Sequence, residues 1–187
     1  TRKELSDVLK LEGGKLTRIL NNLERCDFIT KNQYYGHKTK DCIYQLVDFY
    51  TLFYYKFIEN NVTKDEQWWS HNFESRSIDT WQGISFELLC KLHGEQIKKA
   101  LGISGMSCNL STWKVIANKE LPIPGAQIDL IIDRADRMTH LCEIKFCKGP
   151  FRITNEYEQK LRERMAIFRE LTKSKKSLVH TFITTYG

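Results

Sequence analysis

The first third of the chain carries two helical hydrophobic patterns followed by two extended ones. Apolar residues recur at helical spacing over residues 5–9 and 16–23, and the segment "EGG" separates the two runs. The stretches "DFIT" and "DCIYQL" lie on either side of the turn-rich "KNQYYGHKTK" and predict a two-stranded hairpin. Aromatic residues at helical spacing in "VDFYTLFYYKFI" predict a further helix. The predicted order is helix, turn, helix, hairpin and aromatic helix.

The second half of the chain predicts a mixed α/β arrangement. We expect Thr80 to cap one long helix in "WQGISFELLCKLHGEQIKKALGI", and "WKVIA" to form a short strand. The segments "GAQIDLII" and "HLCEIKF" predict a hairpin centred near Asp136. A helix is predicted to begin at Thr154 or Asn155, and "SLVHTFITTYG" is predicted to form the last strand. The inward stripe of that helix is predicted to be Tyr157, Leu161, Met165 and Phe168.

Length and polarity divide the chain into two predicted domains. At 187 residues the chain suits one large domain or two small ones. We predict a first domain over residues 1–58, a polar linker over residues 59–79 with Trp68 and Trp69 as isolated anchors, and a second domain over residues 80–187. Since the chain opens inside a predicted helix, we expect it to be a fragment that lacks the first helix of its first domain.

Composition excludes several classes of protein. With 41% hydrophobic and 12% aromatic residues, the chain is too apolar to be intrinsically disordered. It has no apolar run of about 18 residues, so no membrane span is expected. The six cysteines form no C-x-x-C pair, which predicts free thiols, no structural zinc and a cytoplasmic location.

Three charged residues interrupt the predicted hairpin. A turn near Asp136 would place Asp129 directly opposite Glu143, with Lys145 two residues further along. Strict alternation would put Asp129, Ile131 and Asp133 on one face of their strand, opposite Ile128, Leu130 and Ile132. Like charges facing each other across two strands are destabilising. The residues therefore leave two interpretations open: a solvated face, or a site for a hard divalent cation such as Mg²⁺.

Basic residues line one face of the second predicted helix. Lys15, Arg18 and Arg25 share a stripe with Asn22, and the chain has a net charge of +6. Such a stripe can be a solvated helix face, a docking surface for protein, or a surface for a polyanion. The order of elements around it resembles winged-helix domains, whose second helix normally enters a DNA groove. The resemblance implies contacts between these three residues and DNA.

The second half resembles the PD-(D/E)XK nuclease superfamily. It has Asp129 on one predicted strand and Glu143-Ile144-Lys145 on the next, as the superfamily motif requires, although Ile128 stands where the motif has proline. The resemblance implies that Asp129 and Glu143 hold one or two Mg²⁺ or Mn²⁺ ions, with support from Glu87 on the preceding helix. It also implies that Lys145 orients the attacking water or neutralises charge on the phosphate.

Nearly the whole chain resembles the C-terminal half of a group of prokaryotic AAA+-type ATPases. The resemblance is carried by "VDFYTLFYYKFI", "WQGISFELLCKLH", "GAQIDLIIDR", "CEIKF" and "ITTYG" in that order. It implies an α/β (α+β) fold class, with an N-terminal winged helix-turn-helix followed by a restriction-endonuclease-like mixed sheet flanked by helices. The implied partners are an upstream ATPase domain of the same polypeptide and a nucleic acid, with DNA preferred to RNA.

Two functions remain open at this level. In one, the second domain is a metal-dependent nuclease that hydrolyses phosphodiesters. In the other, it is a catalytically inactive nuclease fold that, with the winged helix, serves as a DNA- or protein-binding regulatory module of the ATPase. This alternative is open because nuclease folds are often retained after catalytic activity has been lost.

Overall fold

Residues 1–37, 42–59, 61, 65–117 and 124–186 are described by the structure, which is a computed structural model. They form two compact units. The first unit comprises Thr1–Gln33 and His37–Ser85, and the second comprises Tyr34–Gly36 and Phe86–Gly187. The chain is a mixed α+β protein with a four-stranded mixed sheet and helices, which confirms the predicted class at that level.

The first unit begins with two helices and a two-stranded antiparallel sheet, in the predicted order. The helices α1 and α2 span Arg2–Leu9 and Gly13–Arg25, and the strands β1 and β2 span Ile29–Asn32 and Ile43–Leu46. Leu16 and Leu20 of α2 are both buried, so the apolar stripe of this helix faces the core as its spacing predicted. Residues 38–41 of the predicted turn-rich segment lie outside the described residues.

An aromatic cluster follows the small sheet. The predicted aromatic helix is helix α3 over Phe49–Phe53, which continues as a π-helical turn over Tyr54–Ile58, and α4 spans Trp68–Asn72. The ring centroid of Trp69 lies 5.6 Å from Phe53 and that of Trp68 lies 5.3 Å from Phe57. The two tryptophans thus belong to a cluster of packed aromatic rings rather than being isolated anchors, although Trp69 stays 38% exposed.

The next helix begins earlier than its predicted cap. Helix α5 spans Arg76–Leu92, and the Thr80 hydroxyl donates to the Arg76 carbonyl oxygen at 2.8 Å from inside the helix. Ile78 is fully buried, and its packing stabilises the first turn of α5. The polar residues around Ile78 do not predict a helix there. In the predicted linker, residues 60 and 62–64 lie outside the described residues, whereas α4 and the first turn of α5 are regular helix.

The predicted long helix is broken at His93. Helix α6 starts anew at Gly94 and spans Gly94–Ala100. A Cβ on Gly94 would come within 2.2 Å of Leu110 Cδ1, so glycine allows the helix to approach the following strand closely. The break is accompanied by this close approach to β3, which hydrophobic spacing along the helix does not reveal.

The second unit is built on a four-stranded sheet in the order β3-β4-β5-β6. The pairs β3–β4 and β4–β5 are antiparallel, and β5–β6 is parallel across the helix α7, which begins at Asn155, one of the two predicted starts, with Thr154 as its N-cap. The elements are β3 (Cys108–Val115), β4 (Ala126–Arg134), β5 (Met138–Lys145), α7 (Asn155–Thr172) and β6 (Ser177–Thr184). The strand predicted from "WKVIA" is therefore longer and begins earlier, at Cys108.

Both faces of the sheet are covered by apolar packing. One buried cluster joins Cys90 of α5 to Cys142 and Ile144 of β5. The other joins Phe168 of α7 to Ile131 of β4 and Leu141 of β5. Strand β5 is thus covered on both faces, which is typical of strands that read as a nearly continuous hydrophobic run. Any charged residue in this strand needs partners within the protein.

A β-bulge lies at the first of the two strand carboxylates. Ile131 pairs with Ser111 and Ile128 pairs with Trp113, so two residues of β4, Asp129 and Leu130, stand opposite one residue of β3. As a result Ile128 packs in the same cluster as Ile131, and the strict alternation expected for this strand is wrong at Ile128. Bulges are common beside functional sites because they re-aim a side chain.

Candidate functional site

The hairpin places Asp129 next to strand β5. The register of β4 and β5 runs from Asp133–Thr139 to Leu130–Cys142, so Asp129 and Glu143 are the residues that follow the last registered pair. The backbone N–H of Ile144 donates to Asp129 Oδ2 at 3.1 Å, so this carboxylate is fixed against the neighbouring strand. No hydrogen bond to Asp129 Oδ1 is found among the described residues, and that oxygen is the one left for a ligand.

Glu143 is buried and has three polar partners. Its exposed fraction is only 3%, which excludes the solvated-face interpretation for this residue. Its Oε2 accepts from the Tyr157 hydroxyl at 2.6 Å, and its Oε1 forms an ion pair with Arg164 Nη1. The Lys145 Nζ lies 3.5 Å from Oε2. A buried carboxylate is tolerated only when it is paired and hydrogen-bonded in this way.

Lys145 lies at the solvent side of the same group. Its side chain is 37% exposed, and its Nζ is 5.8 Å from the ring centroid of Tyr157, within the range of a cation–π contact. The ammonium thus faces both the buried carboxylate and the solvent. It is placed where it could meet an anionic ligand that approaches from outside.

Glu87 lies apart from the two strand carboxylates. Its Oε1 accepts from Lys91 Nζ at 2.5 Å, one turn further along α5. Burial, and after it the charge of Glu87, raises the pKa of the Cys90 thiol to about 11. Within the described ranges, no three or more His, Cys, Asp or Glu side chains form a group that could hold a metal ion. Among the described residues, Glu87 therefore forms no metal-holding group with Asp129 and Glu143.

The two strand carboxylates are nevertheless suitable ligands for Mg²⁺ or Mn²⁺. Mg²⁺ is a hard cation that is commonly held by one or two carboxylates, with waters and substrate phosphates as its remaining ligands. Burial raises the pKa of the Tyr157 hydroxyl, and the nearby charge of Asp129 adds to the effect. Tyr157 therefore stays a neutral donor beside both carboxylates. The oxygens of Asp129 and Glu143 are of the kind that a divalent cation prefers. To bind one, Glu143 would have to release Tyr157 or Arg164.

Sequence reasoning missed the two α7 partners of Glu143. Tyr157 was expected only as a member of the inward apolar stripe, and Arg164 was not singled out. The signal was nevertheless in the spacing, because Arg164 follows Tyr157 by two turns and lies on the stripe of Leu161 and Phe168. A cation on the buried stripe of a helix implies a buried anion opposite it.

The basic stripe lies on the exposed side of α2 in the first unit. Lys15, Arg18 and Arg25 are all exposed, whereas Leu16 and Leu20 on the other side of the helix are buried. Among the described residues no hydrogen bond or ion pair engages these three cations. Their charges are thus available to a partner molecule, which is what a polyanion-binding surface requires.

Comparison with known proteins identifies no relative of this chain. No protein-family model, no curated protein and no solved structure matches the chain. In the part of the chain that the structure describes, no helix is both long and apolar enough to cross a membrane.

Proposed function

We propose that the second unit is a PD-(D/E)XK nuclease-like domain that hydrolyses phosphodiesters with Mg²⁺ or Mn²⁺. The observation that carries the proposal is a carboxylate on each of two adjacent strands. Asp129 of β4 accepts from the Ile144 N–H at 3.1 Å, and Glu143, the residue before Ile144, has the Lys145 ammonium 3.5 Å away. A wet hairpin face does not explain this arrangement, because Glu143 is buried. A carboxylate on each of two adjacent strands, with an ammonium beside the second, is the arrangement that the superfamily motif implies.

Each residue has a separate task in this proposal. Asp129, through Oδ1, and Glu143 would hold the cation, whereas Glu87 would have to leave its ion pair with Lys91 before it could support them. A bound Mg²⁺ or Mn²⁺ supplies a Lewis acid for the phosphate and lowers the pKa of a bound water. Lys145 orients the attacking water or balances the negative charge that develops on the phosphate. Because the Lys145 side chain is partly exposed, its ammonium can contact a phosphate that binds at the surface.

The first unit would supply nucleic-acid binding. We infer that α1, α2 and the small sheet act as a winged helix-turn-helix and that Lys15, Arg18 and Arg25 contact DNA phosphates. The exposed cationic stripe opposite the buried leucines supports this role. The proposed partner beyond DNA is an upstream AAA+-type ATPase domain of the same polypeptide. The six free thiols suit the reducing cytoplasm.

A second candidate function has its own supporting observation. Both oxygens of Glu143 are already engaged, by Tyr157 and by Arg164, and Glu87 is paired with Lys91. Such pairing suits a nuclease fold that has become a catalytically inactive scaffold. In that case the two units would form a DNA- or protein-binding regulatory module of the ATPase.

Metal binding by the whole chain separates the two functions. Isothermal titration with Mn²⁺ should show one or two sites, and Asp129→Asn and Glu143→Gln should each remove binding together with any Mn²⁺-dependent cleavage of plasmid and oligonucleotide DNA. Glu158→Gln is the matched control, because that exposed carboxylate pairs only along α7. If both strand variants still bind Mn²⁺, or if the wild-type protein binds none, the metal site is wrong and the scaffold function is the one supported.

DNA binding is tested by charge reversal on α2. Changing Lys15, Arg18 and Arg25 to Glu should weaken binding of a duplex and flatten its dependence on salt, because fewer counterions are released. Reversing three scattered exposed lysines, Lys3, Lys99 and Lys175, makes the same charge change without a shared face and should have a smaller effect. Equal effects of the two triple variants would show that α2 makes no specific contact with DNA.

A further inference from the structure

We propose that the second unit binds the phosphate backbone of a nucleic acid on a surface of its own, at the end of the sheet where β5 and β6 begin. The surface consists of four exposed cations that we call the distal basic surface: Arg137, Arg169, Lys173 and Lys175. It needs neither a metal ion nor the basic stripe of α2, and it therefore goes beyond the proposed function. By the rise of an extended strand, Arg137 lies about 25 Å from Lys145 at the other end of β5, so the surface is separate from the candidate carboxylate site.

Two neighbouring loops bring these cations to one end of the second unit. Strands β5 and β6 pair in parallel from their first residues, and the Ser177 N–H donates to the Arg137 carbonyl oxygen at 2.9 Å. Arg169 lies in the last turn of α7. Lys173 and Lys175 lie in the short connection from that helix to β6. The turn before β5 and the connection before β6 are therefore side by side, and their charges act on one region of solvent.

The carboxylates of these two loops are engaged by an inner pair of cations. Asp133 Oδ1 accepts from Lys176 Nζ at 2.8 Å, and Asp136 Oδ1 accepts from Arg134 Nε at 2.9 Å. Glu170 is the further carboxylate in the last turn of α7. Among the described residues, no hydrogen bond or ion pair engages the four cations of the distal basic surface. Their charge is thus not neutralised from within the protein, and a polyanion can approach it.

Two of the four cations occupy backbone positions where glycine would be less costly. Arg137 has a φ of 68° and Lys173, the C-cap of α7, has a φ of 53°. Long side chains are unfavourable in this left-handed conformation, and glycine is the usual residue there. The negative end of the helix dipole accounts for a cation at Arg169 but not for one at Arg137, which belongs to the β4–β5 turn. The backbone alone therefore does not explain why these positions carry cations.

The distribution of charge favours a nucleic acid as the partner. The first unit has equal numbers of acidic and basic residues, so the whole net charge of +6 belongs to the second unit. Protein interfaces usually depend on aromatic anchors, whereas residues 134–138 and 169–177 contain no aromatic residue. Arginine and lysine on a convex loop surface suit phosphates that repeat along a backbone, which they bind without reading the sequence.

Lysine acetylation of the wild-type chain tests the contact directly. Sulfo-NHS-acetate modifies accessible amines, and mass spectrometry of the proteolysed chain reports each lysine separately. A short DNA duplex should slow the modification of Lys173 and Lys175, and added salt should restore it because salt releases the duplex. Lys99 and Lys114 are exposed in the same unit and should react at unchanged rates. Unchanged rates at Lys173 and Lys175 while the duplex is bound would overturn the proposal.

Charge removal measures what the surface contributes to affinity. The test variant changes three of its cations to glutamine: Arg137, Lys173 and Lys175. The control variant changes three exposed lysines that share no surface: Lys3, Lys99 and Lys114. By fluorescence anisotropy with a labelled duplex, the test variant should bind about tenfold more weakly or worse, and its salt slope should fall by about 0.9 for each lost phosphate contact. Equal effects of the two variants would overturn the proposal.

The outcomes separate this surface from the α2 surface and from a protein-binding role. If reversal of the α2 stripe abolishes duplex binding while the test variant binds as wild type does, the first unit alone binds DNA and the distal basic surface is wrong. If the test variant loses affinity and the α2 reversal does not, the proposal stands and the role given to α2 falls. Reversal of Lys3, Lys99 and Lys175 changes one cation of the distal basic surface and should cost about one phosphate contact. If polyglutamate competes as well as duplex DNA of equal charge, the partner is an acidic protein, and the nucleic acid is wrong.

Discussion

Tyr157, in the first turn of α7, donates its phenolic hydrogen to Oε2 of the buried Glu143 at 2.6 Å. We expect Tyr157→Phe to lower the free energy of unfolding by about 1.5–3 kcal/mol, because it removes a hydrogen bond to a charged group without changing the ring. Urea denaturation measures the change. Tyr186→Phe is the control, since that ring is half exposed and its loss of a hydroxyl should have almost no effect. Equal effects of the two substitutions would mean that the hydroxyl of Tyr157 adds nothing.

Neutralising the two strand carboxylates should have unequal effects on stability. Glu143→Gln leaves the Arg164 cation without its counter-ion and should destabilise the metal-free protein by about 2–4 kcal/mol. Asp129→Asn keeps an oxygen that can accept from the Ile144 N–H and should change stability by less than about 1 kcal/mol. Thermal or urea denaturation in a chelating buffer measures both. Stabilisation by both substitutions would show that repulsion between the carboxylates outweighs the ion pair.

Stability should fall in mild acid because of His140. Its Nε2 accepts from the Arg134 guanidinium at 3.1 Å, and its Nδ1 lies 2.9 Å from the Thr181 hydroxyl. Burial, and then the Arg134 charge, lower the pKa of His140 below 6.5, although Asp136 acts in the opposite direction. In mild acid the unfolded chain therefore binds a proton at this histidine more readily than the folded chain does. The contribution of neutral His140 to the free energy of unfolding is complete above about pH 6.5 and is lost as the pH falls below it.

The measurement is the melting temperature of wild type and His140→Gln between about pH 8 and about pH 5. Glutamine can accept from Arg134 and donate to Thr181, so the variant should lose less stability over this interval. His180 contributes in the same direction, because its pKa is also lowered, and it should leave a residual slope in the variant. Parallel curves for the two proteins would exclude His140 as the source.

Cysteine reactivity should differ sharply along the chain. Burial, together with the Glu87 charge, raises the pKa of the Cys90 thiol to about 11, whereas Cys26 is exposed. At about pH 8, iodoacetamide should modify Cys90 at least tenfold more slowly than Cys26, because the thiolate is the reactive form. Mass spectrometry after timed quenching gives the rates. Similar rates would indicate that the cluster around Cys90 opens often.

The strand pairing could be predicted because its signals are local. A turn near Asp136 and the flanking apolar runs are enough to predict the hairpin, and the observed register of β4 and β5 confirms it from Asp133–Thr139 to Leu130–Cys142. The start of α7 at Asn155 likewise agrees with the predicted start at Thr154 or Asn155. Both features depend on residues that are close together in the sequence.

The electrostatic environment of Glu143 could not be predicted in the same way. Its partners Tyr157 and Arg164 come from α7, and nothing in the strand sequence indicates that a distant arginine balances the charge. The start of α5 before Thr80 depends on the burial of Ile78, and the break at His93 accompanies the contact of Gly94 with Leu110. The bulge at Asp129 depends on pairing with β3. In each of these places the structure involves a contact between residues that are distant in the sequence, which the local pattern does not show.

The parallel pairing of β5 with β6 has a consequence for how the second unit folds. Strands β3, β4 and β5 are neighbours in the sheet and consecutive along the chain, whereas β6 can join only after the whole of α7 has crossed over. Contacts that close a long loop form late, since their entropy cost must be met first. Tyr157 and Arg164 of α7 are the partners that offset the burial of Glu143. The candidate site is therefore complete only when α7 is packed against the sheet.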